Sequence, residues 1–126
     1  MKIPDNLKFT KDHEWLRVEG EEGYVGISDY AQHELGDIVF IEVETVGEIL
    51  QKGESFGTIE AVKTVSDMYM PVSGEVLAFN DALTTKPEIL NQDSYDKGWV
   101  IKIKIQNPEE TGQLLDPKQY AELIQA

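Results

Sequence analysis

A single stretch in the middle of the chain constrains the fold more than any other. Two short runs of strand-forming residues, at 55–59 and 68–70, flank the octet EAVKTVSD at 60–67. Runs of this kind, separated by a short polar segment, predict a β-hairpin. Lys63 would then lie at the tip of that hairpin, on the connecting turn.

The lysine at this turn has two interpretations. Lysines are mostly exposed, so Lys63 taken alone is an ordinary surface residue. A primary amine on a flexible stem, held away from the body of a protein, is also a place where another enzyme can attach an acyl group that swings between active sites. The surrounding sequence decides between these two interpretations.

The sequence around Lys63 resembles the lipoylation segment of the glycine cleavage system H protein family. The matching stretches are EAVKTVSD at 60–67 and PVSGEV at 71–76, with HEW at 13–15, GISDYAQ at 26–32, LGDIVF at 35–40 and GW at 98–99. The resemblance spans nearly the whole chain. Biotin carriers usually place methionine on both sides of their lysine, and lipoyl domains of 2-oxoacid dehydrogenases usually place aspartate before it. Here the neighbours are Val62 and Thr64, which favours the H-protein family.

The resemblance implies both a fold and a function. The fold is mainly β, a barrel-sandwich hybrid like the flattened barrel of lipoyl and biotinyl carriers, with short flanking helices and a C-terminal helix. Lipoate in amide linkage on Lys63 would bring two sulfurs that cycle between disulfide and dithiol to a chain without cysteine. The chain would be the lipoyl carrier of glycine cleavage and would itself catalyse no reaction.

The resemblance also implies four partner enzymes. A pyridoxal-phosphate glycine decarboxylase transfers an aminomethyl group from glycine to one sulfur as CO2 leaves. An aminomethyltransferase then passes the one-carbon unit to tetrahydrofolate and releases ammonia. A dihydrolipoyl dehydrogenase with FAD reoxidises the dithiol and reduces NAD, and a lipoate-attaching enzyme modifies the lysine in the first place.

Further site residues follow from positions that match the family. Glu60, three residues before Lys63, would help the lipoate-attaching enzyme to recognise the hairpin. The family lays its loaded arm in a surface groove, and Glu14, Ile27 and Asp67 match positions that line it. The two carboxylates would pair with the cationic amine of the cargo. Without the resemblance, they would be read as solvated acids beside turns.

One groove position is open between two residues. The family places a histidine near the end of the helix beside the arm, whereas this chain has Glu34 at that place and His33 one position earlier. A shift of one residue rotates a helical side chain by about 100°. The chain has only one other histidine, His13, so a zinc site is not expected.

Composition agrees with a small carrier protein. With 126 residues the chain is expected to form one domain with one modest core. The net charge of −13 argues against nucleic-acid binding, which requires a basic face, and against an anionic membrane surface. It suits a mobile monomer that is steered toward basic docking faces on larger enzymes.

The predicted organisation is a single lipoyl-carrier domain over 1–126. A front hairpin is expected at about 12–27, the carrier core at about 36–105 and a C-terminal helix at about 116–125. The N-terminal residues show no signal-peptide or transit-peptide pattern, and no run approaches the length of a membrane span. A cytoplasmic location in a bacterium-like cell is therefore expected, since the absence of cysteine also fits the cytosol.

Two helices have recognisable signals. Ser28 or Asp29 is expected to cap a short helix through Glu34, with Gln32 in capping-box position after Asp29 and Gly36 as the stop. A second helix is expected after the dipeptide Asp-Pro at 116–117, in which the aspartate caps and the proline occupies the first helical position. Its apolar side would consist of Tyr120, Leu123 and Ile124.

Two runs predict strands of different kinds. The run IVFI at 38–41 is apolar at every position and predicts a strand buried on both faces at the centre of the core. The stretch 99–105 alternates, with Trp99, Ile101, Ile103 and Ile105 expected to point inward and Lys102 and Lys104 outward. In addition, GEIL at 47–50 is echoed by GEVL at 74–77, either as a chance match of four residues or as a sign of two half-units related by a pseudo-twofold axis.

The sequence is also compatible with two other functions. The chain is a candidate H-like relay that hands lipoyl or octanoyl groups to other enzymes, with the same modified lysine but different partners. It is also a candidate interaction module in which Lys63 is unmodified. An enzyme is disfavoured because the sequence contains no recognisable pairing of a nucleophile with a base and no phosphate-binding motif.

Overall fold

A computed structural model describes residues 1–125. The strands are β1 Lys8–Phe9, β2 Glu14–Glu19, β3 Glu22–Ile27, β4 Ile38–Glu42, β5 Ile49–Leu50, β6 Ser55–Ala61, β7 Val65–Tyr69, β8 Gly74–Phe79 and β9 Ile101–Ile105. The helices are α1 Asp29–Leu35, α2 Ala82–Thr85, α3 Ile89–Gln92 and α4 Pro117–Ile124, with a 3₁₀ helix at Pro108–Gln113. None of the helices in the described part of the chain is long and apolar enough to cross a membrane.

The strands form two antiparallel sheets. One sheet has six strands in the order β1-β2-β3-β9-β8-β5, and the other has three in the order β4-β6-β7. Buried side chains from both sheets meet in one main core, which includes Phe56 and Ile59 from β6 and Ile103 from β9. This arrangement confirms the predicted mainly β, flattened barrel-sandwich fold with short helices.

The hairpin of β2 and β3 belongs to the larger sheet. Strand β3 pairs with β9 in addition to β2, so the hairpin extends the six-stranded sheet and does not stand apart from it. The two echoed segments also meet, since β5 pairs with β8 through Ile49 opposite Glu75 and Leu50 opposite Gly74. The two similar segments therefore lie side by side as antiparallel neighbours in the larger sheet.

A second, smaller core holds the C-terminal helix against the N-terminal strands. Its buried members are Leu7, Phe9, Trp15 and Tyr120. Helix α4 begins as the sequence predicts, because Asp116 accepts a hydrogen bond from the backbone N–H of Gln119 and the Gln119 side chain bonds back to Asp116. Such a reciprocal cap contributes about 1 kcal/mol. The helix thereby places Tyr120 under β1 and β2.

The strand expected at the centre of the core is an edge strand. Strand β4 pairs only with β6, and a bulge lies between Ile38 and Phe40. Val39 and Phe40 are about half exposed, at 47% and 48%, whereas Ile38 and Ile41 are buried. The prediction of burial on both faces is therefore wrong, because an apolar run does not reveal which of its residues a bulge turns outward.

Three further side chains differ from expectation. Trp99 lies before β9, is half-buried and packs in the smaller core, while Val100 is the buried residue at that point. Leu123 of α4 is 47% exposed, so only Tyr120 is fully buried on this helix. Ser28 alone caps α1, and the Gln32 side chain donates to the Asp29 side chain instead of the backbone.

Candidate functional site

The hairpin of β6 and β7 presents Lys63 to solvent. Glu60 pairs with Val65 as the last strand pair, and the Ala61 N–H donates to the Thr64 carbonyl at 2.8 Å to close the turn. The turn is tighter than the predicted octet, because both flanking strands extend into it. Residues 62–67 are all exposed. A lysine on such an exposed, hydrogen-bonded turn is accessible to a modifying enzyme.

A groove adjoins the hairpin on the side of β7. Its cavity of about 280 Å³ lies between β7, the end of β3, helix α1 and the residues before β2. It is lined by Asp12, His13, Glu14, Ile27, Tyr30, Ala31, Glu34, Leu35, Ile59, Ser66, Asp67 and Met68. The first β7 residue in the lining, Ser66, is three residues from Lys63, which corresponds to at most about 10 Å along the chain. An arm attached to Lys63 therefore needs only a short reach to enter the groove.

The structure brings Glu14, Ile27 and Asp67 to this one groove. Glu34 also lines it, whereas His33 is exposed and lies outside the lining. Helix α1 accounts for this difference, since adjacent residues on a helix point about 100° apart. Of the two residues that the sequence left open, Glu34 is the one that lines this cavity.

Glu14 is the buried acid of the groove. It is 2% exposed and accepts hydrogen bonds from Thr10 Oγ1 at 2.5 Å and from the Tyr69 N–H at 3.2 Å. Burial raises the pKa of Glu14 to about 7, because it penalises the charged carboxylate more than these two hydrogen bonds favour it. The ion pairs found within residues 1–125 do not include Glu14. A cation beside this carboxyl group would lower its pKa and favour the charged form.

The remaining walls combine apolar and acidic groups. Ile27, Ile59 and Met68 are 4%, 1% and 1% exposed and form the apolar part of the lining. Asp67 is exposed and accepts a hydrogen bond from Ser55 Oγ at 3.2 Å. An alkyl chain with a cationic end fits this combination, since apolar surface takes the chain and carboxylates take the cation.

Sequence reasoning missed His13 as a groove residue. His13 lines the cavity with a backbone φ of +73°, a left-handed conformation that few residues other than glycine adopt. Its Nδ1 lies 2.8 Å from the Tyr120 hydroxyl, and its ring lies 4.8 Å from that of Tyr30. Burial lowers the pKa of His13, although the nearby carboxylates of Asp12 and Glu34 oppose this shift. The positive φ at this position is not predicted by any local residue pattern, and the match of HEW at 13–15 to the family did not by itself assign His13 to the groove.

Two facing antiparallel sheets with an exposed lysine on one hairpin define a barrel-sandwich carrier domain. Comparison with known proteins identifies the family. The profile of the family described as "Glycine cleavage H-protein" matches residues 7–126. The chain therefore belongs to the glycine cleavage H-protein family, whose members are non-catalytic lipoyl carriers that work with the other components of glycine cleavage.

Individual relatives agree with this assignment. A "Glycine cleavage system H protein" of Bacteroides thetaiotaomicron is 52% identical over 124 residues, which cover 98% of this chain and 98% of the relative. One of Carboxydothermus hydrogenoformans is 46% identical over 123 residues, covering 98% and 95%. The crystal structure of a glycine cleavage system H protein from Mycobacterium marinum superposes with a TM-score of 0.90 at 35% identity, covering 98% of this chain and 100% of that one.

Proposed function

We propose that this protein carries lipoate in amide linkage on Lys63 and uses it to move the aminomethyl group of glycine between enzymes. The observation that supports the proposal most directly is the exposure of Lys63 on a closed hairpin turn beside a groove of matching chemistry. When bound, lipoate supplies a pair of sulfurs that accept the aminomethyl cargo and two electrons.

The residues around the groove fit such a group. The apolar wall of Ile27, Ile59 and Met68 suits the hydrocarbon chain and sulfur ring, and it excludes water from them. Glu14 lies in the same cavity as a buried acid without a basic partner in the part of the chain described here. A cationic amine in the groove would supply that partner.

Two acids hold the cargo in this proposal. Glu14 binds the cationic amine as a carboxylate and releases to solvent any proton that it holds; the shielded, charge-assisted hydrogen bond between them contributes about 1.5–3 kcal/mol. Asp67 at the open side of the groove contributes a weaker attraction, because solvent screens an exposed carboxylate. Ile27, which pairs with Glu14 across β2 and β3, adds apolar surface to the same cavity and would reduce the access of water to the loaded arm.

The partner enzymes act at different places on the molecule. Glycine decarboxylase, the aminomethyltransferase and dihydrolipoyl dehydrogenase act on the far end of the arm, which tethering keeps at a high local concentration. The lipoate-attaching enzyme must reach Lys63 itself. Glu60 is exposed on β6 directly across from Val65 at the base of the turn, which suits a recognition role for that enzyme. The charge of −13 favours encounters with basic docking faces on all of them.

The remaining assignments follow the sequence alone. We regard residues 1–126 as one lipoyl-carrier domain that acts as a monomer. A cytoplasmic location stays a prediction from the sequence.

An exchange assay with three proteins tests this function. The assay compares three proteins that have all been treated with the lipoate-attaching enzyme: wild type, Lys63→Arg and Lys86→Arg. The last is the control, because it alters another exposed lysine. Each protein is mixed with glycine decarboxylase, glycine and labelled bicarbonate. We expect label to enter glycine with wild type and Lys86→Arg and to stay at background with Lys63→Arg. Exchange by Lys63→Arg at the wild-type rate would overturn the proposal.

A further inference from the structure

The C-terminal helix reaches the groove through one hydroxyl group. Tyr120 of α4 is fully buried, and its ring stacks on Phe9 with centroids 4.3 Å apart and planes 5° from parallel. Its hydroxyl oxygen lies 2.8 Å from His13 Nδ1 and 2.6 Å from Ser28 Oγ. These two partners are 107 and 92 residues away along the chain, so the hydroxyl group joins three distant segments.

One partner of this hydroxyl lines the groove, and the other caps a helix that lines it. His13 lines the cavity directly. Ser28 caps helix α1 by accepting a hydrogen bond from the Ala31 N–H at 3.1 Å, and α1 contributes Tyr30, Ala31, Glu34 and Leu35 to the lining. The Ser28 N–H also donates to the His13 carbonyl at 2.9 Å. The hydroxyl of Tyr120 therefore completes a closed set of contacts behind the β2–α1 side of the groove.

The count of protons favours one direction for these hydrogen bonds. Ser28 Oγ already accepts from the Ala31 N–H, so its own proton is free to point at Tyr120. Tyr120 then donates to His13 Nδ1, which must be without a proton to accept. If instead His13 donated to Tyr120 and Tyr120 donated to Ser28, the Ser28 proton would no longer have the Tyr120 oxygen as its acceptor. The favoured arrangement therefore holds His13 as the neutral form with its proton on Nε2.

We propose that the Tyr120 hydroxyl is a positioning group of the groove, which holds His13 and Ser28 together and thereby fixes the wall against which the arm docks. The C-terminal helix then contributes to retention of the arm without touching it. The effect on retention of the arm rests on the proposed function, because it assumes that an arm on Lys63 enters the groove. The link between Tyr120 and His13 itself exists without any arm.

The link is tested on unmodified, full-length protein by ¹⁵N NMR of the imidazole side chains. The chain has two histidines, and exposed His33 serves as an internal reference. Tyr120→Phe keeps the ring and removes the hydroxyl. Tyr95→Phe is the matched control. The Tyr95 hydroxyl accepts a hydrogen bond from the Asp29 N–H at 2.9 Å, at the start of helix α1, whereas the hydroxyl that is bonded to His13 is that of Tyr120.

We expect wild type and Tyr95→Phe to show His13 neutral at pH 7 with its proton on Nε2. In Tyr120→Phe the Nδ1 resonance of His13 should lose the shift that an accepted hydrogen bond gives it, and the excess of the Nε2–H form should fall to that of exposed His33. A proton on Nδ1 in wild type would overturn the proposal. So would an unchanged His13 spectrum in Tyr120→Phe.

The consequence for the arm is measured separately, as release of formaldehyde and ammonia when water hydrolyses the cargo of the loaded protein. We expect Tyr120→Phe to release cargo about three- to tenfold faster than wild type, the equivalent of one hydrogen bond, and Tyr95→Phe to match wild type. Equal rates in Tyr120→Phe and wild type would overturn the positioning role. Release from wild type as fast as from a small lipoamide would instead overturn the proposed docking and leave the NMR result standing.

If Tyr120→Phe does not fold, His13→Asn carries the test of arm retention. Asparagine accepts the left-handed backbone of this position but cannot reproduce the imidazole ring. We expect faster release of cargo from this variant, and release at the wild-type rate would overturn the proposal.

Discussion

The stem of Lys63 lies against Gly36: a Cβ built on Gly36 would sit 3.6 Å from Lys63 Cε. Gly36 ends helix α1 with φ +79° and ψ −155°, and the next residue, Asp37, accepts a hydrogen bond from the Val62 N–H at 3.0 Å. The turn that carries the lysine is thus joined to the C-terminal end of the helix that forms one wall of the groove. The lysine turn and the groove are therefore connected through the end of helix α1.

Replacing Gly36 tests whether the end of helix α1 requires a glycine at this position. We expect Gly36→Ala to lower the free energy of unfolding by about 1–3 kcal/mol, because the backbone of Gly36 lies in a region that is strained for any other residue. Gly112→Ala is the control, since a Cβ at Gly112 meets no atom within 4 Å. Urea unfolding measures both variants. If the two variants had equal free energies of unfolding, the backbone conformation of Gly36 would not require a glycine.

Glu14 should make stability depend on pH. Its folded pKa of about 7 lies above its ordinary value of 4.5, so its neutral form stabilises the fold at low pH and this contribution is lost as pH rises through 7. Between pH 5.5 and 8 the loss is about 2 kcal/mol. Glu14→Gln stays neutral throughout. The unfolding free energy of wild type should therefore fall relative to that of Glu14→Gln over this range, whereas a constant difference between them would contradict the burial of an unpaired acid.

The two groove acids should retain the cargo to different extents. We expect Glu14→Gln to speed hydrolytic release of the aminomethyl cargo about tenfold or more, because its carboxylate is shielded from solvent. Asp67→Asn should speed release about two- to fivefold, since an exposed ion pair contributes at most about 1 kcal/mol. Asp96→Asn, which changes an exposed acid outside the groove lining, is the control. A larger effect for Asp67 than for Glu14 would contradict the assigned roles.

Helix α1 allows a test with adjacent residues. Glu34 lines the groove and His33 does not, so Glu34→Gln should change the rate of cargo release whereas His33→Gln should not. The expected change is about two- to threefold, as for other exposed carboxylates near a cation. The same formaldehyde assay measures it. An effect of His33→Gln alone would place the histidine, and not Glu34, beside the arm.

Several features of the fold could be predicted because local sequence determines them. The turn around Lys63, the cap at Ser28, the stop at Gly36 and the start of α4 at Asp116 each depend on a few adjacent residues. The resemblance to a known family supplied the groove residues, and the structure gathers them at one cavity. Their role toward an arm stays a prediction.

Other features depend on contacts that no local pattern records. The exposure of Val39 and Phe40 follows from a bulge and from the edge position of β4, neither of which an apolar run reveals. The bond between His13 and Tyr120 joins residues 107 apart. The raised pKa of Glu14 results mainly from burial by elements that are distant in sequence. These are the features that shape the groove in detail.

The mass of the proteolytic peptide that contains Lys63 tests the central claim most directly. The protein is produced in cells that possess a lipoate-attaching enzyme, and wild type is compared with Lys63→Arg. The account predicts a gain of about 188 Da on the wild-type peptide, the size of one lipoyl group, and none on the variant. A wild-type peptide that stays at its unmodified mass, or a gain of the same size on another lysine, would contradict it.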